Sequence, residues 1–248
     1  MKILFAASEV VPFAKTGGLA DVAGALPKKI MNLGHKVSIV MPLYGKARQR
    51  GGIFLLMDKT IFVPVGDRIV EGKIRQSRLP DSEVDIYFIE NDNYYDRSEL
   101  YGTSTGSYED NAQRFIFFSR GVLETIKALS LKVDVIHCND WQTALIPVYL
   151  KTLYKNNPLL KDVATVFTLH NLLYQGSFER KTIEFTGLSR NLLGLSGKVN
   201  FMKGGLVYAD LLTTVSRRYA REIQTQQFGF RLEQVLLSRS GDLHGIIN

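Results

Sequence analysis

The chain has 248 residues, 45% of them hydrophobic, a formal net charge of +7 and a single cysteine, Cys138. That is enough apolar material for one substantial core. The composition is not that of a disordered or fibrous chain, and one cysteine allows no internal disulfide, as suits a reducing cytoplasm. No apolar run reaches the ~20 residues of a membrane helix, and no basic-aromatic patch or arginine-rich run points to nucleic acid. Scattered Lys and Arg read as a solvated basic surface, although the sign would also suit an anionic ligand such as a nucleotide sugar.

In chain order, the opening apolar run meets an acid at Glu9. It is too short for a signal peptide and predicts a first strand over Lys2–Ala7. Further strands are expected at Lys36–Met41, Val84–Glu90, Val133–Cys138, Thr165–Leu169 and Leu211–Val215, all apolar on both faces as strands covered by helices are. Gly18–Leu33 reads as a helix stopped by Gly34, with Pro27 its weak point. Ser107–Leu129 reads as a long helix, with Ser107 as cap and Glu109 and Asp110 at its positive end. Trp141–Lys155 and Ser216–Gln226 complete the helices. Gly51–Leu79 alternates like strands and predicts a β-hairpin insertion. Strand–helix alternation predicts an α/β fold with a doubly wound, mostly parallel sheet, and such sheets bind ligands beyond the carboxyl ends of their strands.

Several predicted strands end in polar residues. After the first come Lys15-Thr16-Gly17-Gly18, where two glycines at a strand-to-helix turn would let backbone N–H groups and a helix amino end approach a diphosphate, with Lys15 adding charge. A plain glycine turn beside a solvent lysine fits the same residues. Asp21, in the first helical turn, suits the helix dipole. Asp140 beside Trp141 pairs a carboxylate with an aromatic platform, as for a sugar, or else caps a helix. His170 could donate a hydrogen bond to a substrate or steady a positive centre through its carbonyl; a lone histidine is more often structural. His137 and Asp140 lack a third ligand for a metal, and Cys138 reads as buried packing. The glycine spacing excludes a dinucleotide fingerprint, and no phosphate loop of the G-x-x-x-x-G-K-[ST] type occurs.

The run Ser8-Glu9-Val10-Val11-Pro12-Phe13-Ala14-Lys15-Thr16-Gly17-Gly18-Leu19-Ala20-Asp21-Val22 resembles the start of bacterial glycogen synthases and plant starch synthases, glycosyltransferase family 5. The resemblance continues through Leu26-Pro27, Met41-Pro42-Leu43-Tyr44, His137-Cys138-Asn139-Asp140-Trp141-Gln142, Thr168-Leu169-His170-Asn171, Tyr174-Gln175-Gly176, Asn200 to Leu206, Tyr208-Ala209-Asp210 and Thr214-Val215-Ser216. It implies a Rossmann-like fold that is the first half of a GT-B two-domain architecture. The implied reaction moves glucose from ADP-glucose to the non-reducing end of an α-1,4-glucan such as glycogen, with retention, by front-face substitution, without cofactor or metal.

By the same resemblance, His170 and Asp140 would be the catalytic residues. Lys15, Thr16, Gly17, Gly18, Asp21, Tyr95, Trp141, Asn171 and Asn248 would bind substrate. Residues 1–248 would be the amino-terminal, acceptor-side domain, with the nucleotide-gripping carboxy-terminal domain missing and little or no transfer by this chain alone. Phe228-Gly229-Phe230-Arg231 departs from relatives that carry further glycines there. Two other readings fit the residues: a two-domain glycosyltransferase with another donor, and a non-catalytic glucan-binding module.

Overall fold

The computed structural model describes residues 1–49 and 52–247. Its centre is a nine-stranded sheet whose strands we number β1 (Lys2–Ala6), β2 (Lys36–Pro42), β3 (Leu55–Val65), β4 (Arg68–Arg78), β5 (Asp85–Glu90), β6 (Val135–Asn139), β7 (Ala164–Leu169), β8 (Leu211–Thr214) and β9 (Leu243–Gly245). The spatial order is β9-β8-β7-β6-β1-β2-β5-β4-β3. From β5 to β9 across the sheet every pairing is parallel; β4 and β3 add to the edge antiparallel. The chain winds outward from β1 through β2 to β5, then returns to the other side of β1 and winds outward again from β6. The reversal falls between β1 and β6, and that switch point is where an open α/β sheet leaves a crevice.

The six strands expected from the sequence are all present, with ends moved by no more than two residues. Burial explains their legibility: Leu4, Phe5, Ile39, Val40, Met41, Ile136 and Phe167 are fully buried, as β-branched and apolar residues are in a sheet covered on both faces. The predicted hairpin is β3–β4. It is not an appendage, because Lys73–Arg78 of β4 pairs with the whole of β5 and so extends the main sheet. Ile61, Val63, Val65 and Ile74 face inward from it.

Helix α1 (Gly18–Asn32) runs through Pro27, whose ring is buried, to Leu33 and Gly34, the latter at φ +87°. A left-handed residue after the last turn is a common helix stop, and glycine takes it without a Cβ penalty. Helix α2 (Asn111–Ala128) packs Phe115, Phe117, Phe118, Val122 and Ile126 against the hairpin and against helix α3 (Leu145–Lys151).

Three helix expectations are corrected. Helix α2 begins four residues later than predicted, because Ser107 pairs with Gly102 in a two-residue ribbon and Asp110 turns its carboxylate to Arg97, 2.7 and 2.5 Å away, without capping the helix. The Trp141–Lys155 segment is helical only over α3, since residues 141–144 form turns that leave Trp141 facing the sheet ends. The last predicted helix is shortened to α4 (Arg217–Glu222), capped by Ser216, whose Oγ accepts from the Tyr219 amide at 2.9 Å.

Candidate active site

A cleft of about 680 Å³ opens at the switch point. Its walls come from the carboxyl ends of four strands: Glu9 and residues 16–19 after β1, Asp140, Trp141 and Gln142 after β6, His170 and Asn171 after β7, and Val215 after β8. Tyr101, Ser107, Asn111 and Tyr174 close the sides. The residues that follow five predicted strands were expected on one rim; of these, Thr16, Gly17, Gly18, Asp140, Trp141, His170 and Asn171 line this cavity, whereas Lys15, Asn91 to Arg97, Asn139 and Ser216 do not.

The residue that organises the turn after β1 is Glu9, to which the sequence reading gave no role. Only 4% of it is exposed. Its Oε1 accepts from the Thr16 hydroxyl at 2.7 Å and the Tyr101 hydroxyl at 2.8 Å. Its Oε2 accepts from the Thr16 amide and, at 3.2 Å, from the Gly17 amide. Because a carboxylate only accepts, Tyr101 donates to Glu9, and Ser8 Oγ, 2.7 Å from the phenol, must donate to Tyr101. Four donors on one buried carboxylate fix the turn as charge-assisted bonds do.

This limits what Thr16 and Gly17 can offer a ligand at the cleft they line. The Thr16 hydroxyl and both amides are engaged by Glu9, so the turn offers a ligand the Gly18 end of α1. Space permits that: a Cβ on Gly17 or Gly18 would meet no atom within 4 Å. Lys15 and Asp21, expected to act separately, form an ion pair at 2.7 and 2.8 Å beside the turn. Each is about half exposed, so the pair contributes only ~0–1 kcal/mol of stability and opens at little cost.

Asp140 is not a helix cap. It sits at φ +54°, a left-handed conformation that aspartate tolerates better than most residues. Its Oδ1 accepts the His170 backbone N–H at 2.8 Å, and the Asn171 N–H lies close enough to favour the charged carboxylate as well. Asp140 therefore ties the loop after β7 to the end of β6. Burial raises its pKa to about 7, against the opposing pull of those two amides, with Glu9 adding repulsion. His170 stands opposite in sign of shift: burial lowers its pKa to about 4, so its ring is neutral at pH 7. His137 lies deeper, its Nε2 2.6 Å from Thr168 Oγ1, and burial with the nearby His170 lowers it to about 3. Cys138 is fully buried and burial raises its thiol pKa, which keeps it an unreactive packing residue.

Trp141 is wall rather than open platform. Only 9% of it is exposed, with Phe115 and Phe178 edge-on at 4.8 and 5.7 Å. Gly176, at φ +59°, lies against the indole so closely that a Cβ there would be 2.4 Å from it. The open aromatic ring at the cleft is that of Tyr174, 64% exposed. Gln142 is 6% exposed and also lines the cleft, and among the described residues its Oε1 has no partner.

Tyr95 is corrected outright. It is fully buried, does not line the cleft, and donates its hydroxyl to the Arg114 carbonyl at 2.9 Å. Burial holds its pKa well above the usual phenol value. Asn248 lies outside the described residues. In the divergent 228–231 loop, Phe230 and Arg231 adopt φ +47° and +72°, so side chains occupy left-handed positions that glycine fills more easily.

A doubly wound sheet with a polar cleft at its switch point, bearing a glycine turn and a helix amino end, is the Rossmann-like unit of a GT-B glycosyltransferase. The family model for the starch synthase catalytic domain, glycosyltransferase family 5, matches residues 2–238, and the chain belongs to that family. Over its whole length it is 47% identical to a glycogen synthase of Syntrophotalea carbinolica, covering 52% of that protein, and 49% identical to one of Koribacter versatilis, covering 51%. The catalytic domain of Starch Synthase IV from Arabidopsis thaliana, bound to ADP and acarbose, superposes with a TM-score of 0.90 at 30% identity, over 100% of this chain and 51% of that one. The chain thus spans about half the length of the curated relatives it matches.

Proposed function

We propose that residues 1–248 form the acceptor-side half of a glycogen (starch) synthase, which transfers glucose from ADP-glucose to the non-reducing end of an α-1,4-glucan with retention. The observation that carries this reading is the convergence of the Glu9-held turn, Asp140 and His170 on one cleft. The neighbour's ADP and acarbose, a nucleotide and a glucan-like ligand, support both substrate classes.

The chemistry follows from the side chains. Cleaving the bond to a diphosphate leaves negative charge on the leaving group and positive charge on the sugar carbon. The Gly18 end of α1 and Lys15, released from Asp21, meet the former; a well-placed donor is worth roughly 3–4 kcal/mol in the transition state. Both carboxylates of the cleft are engaged by hydrogen bonds, Glu9 from four donors and Asp140 from the His170 amide. Neither stands free as a nucleophile for a two-step displacement, so retention fits front-face substitution, in which the leaving phosphate takes the acceptor's proton. By the same resemblance, the half of the relatives' length that this chain does not match would supply the remaining nucleotide contacts, and residues 1–248 by themselves would transfer little or no glucose.

The test is calorimetric titration with a linear maltooligosaccharide beside a non-glucan sugar. Saturable binding that is lost in Asp140→Ala supports the reading. A chain that ignores the glucan at millimolar concentration, yet binds ADP-glucose, removes the acceptor-side assignment.

A further inference from the structure

Asn139 closes β6 and is fully buried. Its Nδ2 donates to the carbonyls of Ala6 at 3.1 Å and His137 at 3.2 Å. Both partners only accept, so the amide cannot be turned round, and Oδ1 is the atom that faces His170 Nε2 at 3.0 Å. An amide oxygen also only accepts; Nε2 must therefore carry the proton. In a neutral ring that leaves Nδ1 as a bare lone pair, and among the described residues no protein group bonds it. The backbone of the same histidine is held by the next residue, through Asp140 Oδ1.

We infer that Asn139 is a positioning residue that fixes the tautomer and ring orientation of His170, so that the histidine presents Nδ1 to the cleft as a hydrogen-bond acceptor for a ligand hydroxyl. This inverts the donor role expected from sequence. That the hydroxyl belongs to a sugar rests on the function proposed above; the tautomer does not. Which ring nitrogen is protonated is set by what the other nitrogen meets, and here a backbone-anchored amide decides it. The titratable groups around the ring act in the same direction or are themselves fixed. His137 is kept neutral by its own burial, Asp140 accepts from the His170 backbone N–H, and Glu9 has its four donors.

The experiment uses the whole chain labelled with ¹⁵N-histidine, with long-range ¹H–¹⁵N correlation spectra recorded from pH 5.5 to 8. The His170 signals are identified by their loss in His170→Gln. A protonated, pyrrole-type Nε2 and an unprotonated, pyridine-type Nδ1 across that range are expected. A protonated Nδ1, or averaged nitrogens, overturns the inference. Saturation with maltotriose should move the Nδ1 resonance toward its hydrogen-bonded position and leave Nε2 unchanged; bound sugar that leaves Nδ1 unmoved removes the acceptor role. Asn139→Ala, if folded by circular dichroism, should mix the tautomers and weaken maltotriose about two- to tenfold, the value of one hydrogen bond. A folded variant with a pure Nε2–H ring refutes the role of Asn139. Should that variant not fold, the wild-type spectrum decides alone. A pure tautomer without any maltotriose binding sinks the glucan reading and leaves Asn139 its role, whereas tight binding with averaged nitrogens does the reverse.

Discussion

Replacing Glu9 tests the site at the residue on which the turn depends. In Glu9→Ala four donors lose their acceptor: the amides of Thr16 and Gly17 and the hydroxyls of Thr16 and Tyr101. The hydroxyls rotate to other partners, and the Thr16 side is exposed enough for water to help. The cost then comes mainly from the two amides and the buried Tyr101 pair, at ~1 kcal/mol each, so about 2–4 kcal/mol in all. Glu9→Gln keeps one oxygen for the two amides and turns its NH2 toward the two hydroxyls, which can reorient to accept; about 1 kcal/mol or less is expected. Urea denaturation of the three proteins gives both numbers, and a maltotriose titration reports whether the turn still shapes the cleft. An Ala variant within 0.5 kcal/mol of wild type, or a Gln variant as damaged as Ala, would refute the argument that the carboxylate holds the turn through its pattern of acceptors.

The remaining predictions concern the buried titratable groups and the packing around them. Between about pH 4.5 and 6.5 the unfolded chain holds protons on His137 and His170 that the folded chain lacks, because both pKa values are depressed, to about 3 and 4. Asp140, raised to about 7, holds one proton in the folded chain that the unfolded chain lacks. The balance is one extra proton on unfolding, so these three groups should cost about 1.4 kcal/mol per pH unit as the pH falls through that window. Asp140→Asn should steepen that slope to roughly twice and His137→Gln should flatten it, both read by urea melts at stepped pH; an unchanged slope in either variant refutes the assignment. Gly176→Ala forces a Cβ against the Trp141 ring at φ +59° and should cost about 2–4 kcal/mol and weaken maltooligosaccharide binding, measured by thermal melt and calorimetry. Tyr95→Phe loses one buried bond to the Arg114 carbonyl and should lower stability by about 1–2 kcal/mol while leaving sugar affinity unchanged; a loss of affinity without loss of stability would return Tyr95 to the cleft.

Local pattern carried the sheet far. Strands buried on both faces announce themselves as short apolar runs, and the stop at Gly34 needs only the residue that tolerates φ +87°. The helix starts were harder. Ser107 and Asp110 have the chemistry of caps, but a ribbon partner at Gly102 and a guanidinium at Arg97 claim them first. Tyr95 misled for a related reason: a tyrosine after a strand reads as a rim residue until α2 packs over it.

By itself the sequence determined the layering and the run of polar residues at the strand ends, because hydrophobic period and glycine placement are local properties of a chain; the switch point came with the strand order, which only the tertiary structure shows. It also brought seven rim residues to one cavity, since parallel strands must end on one side. Only the tertiary structure decided what each does there. Glu9 meets Tyr101 across 92 positions, and Asn139 meets Ala6 across 133 and His170 across 31. Whether a carboxylate is a clamp, or which nitrogen of a histidine bears the proton, depends on partners that folding brings together and that no local pattern records.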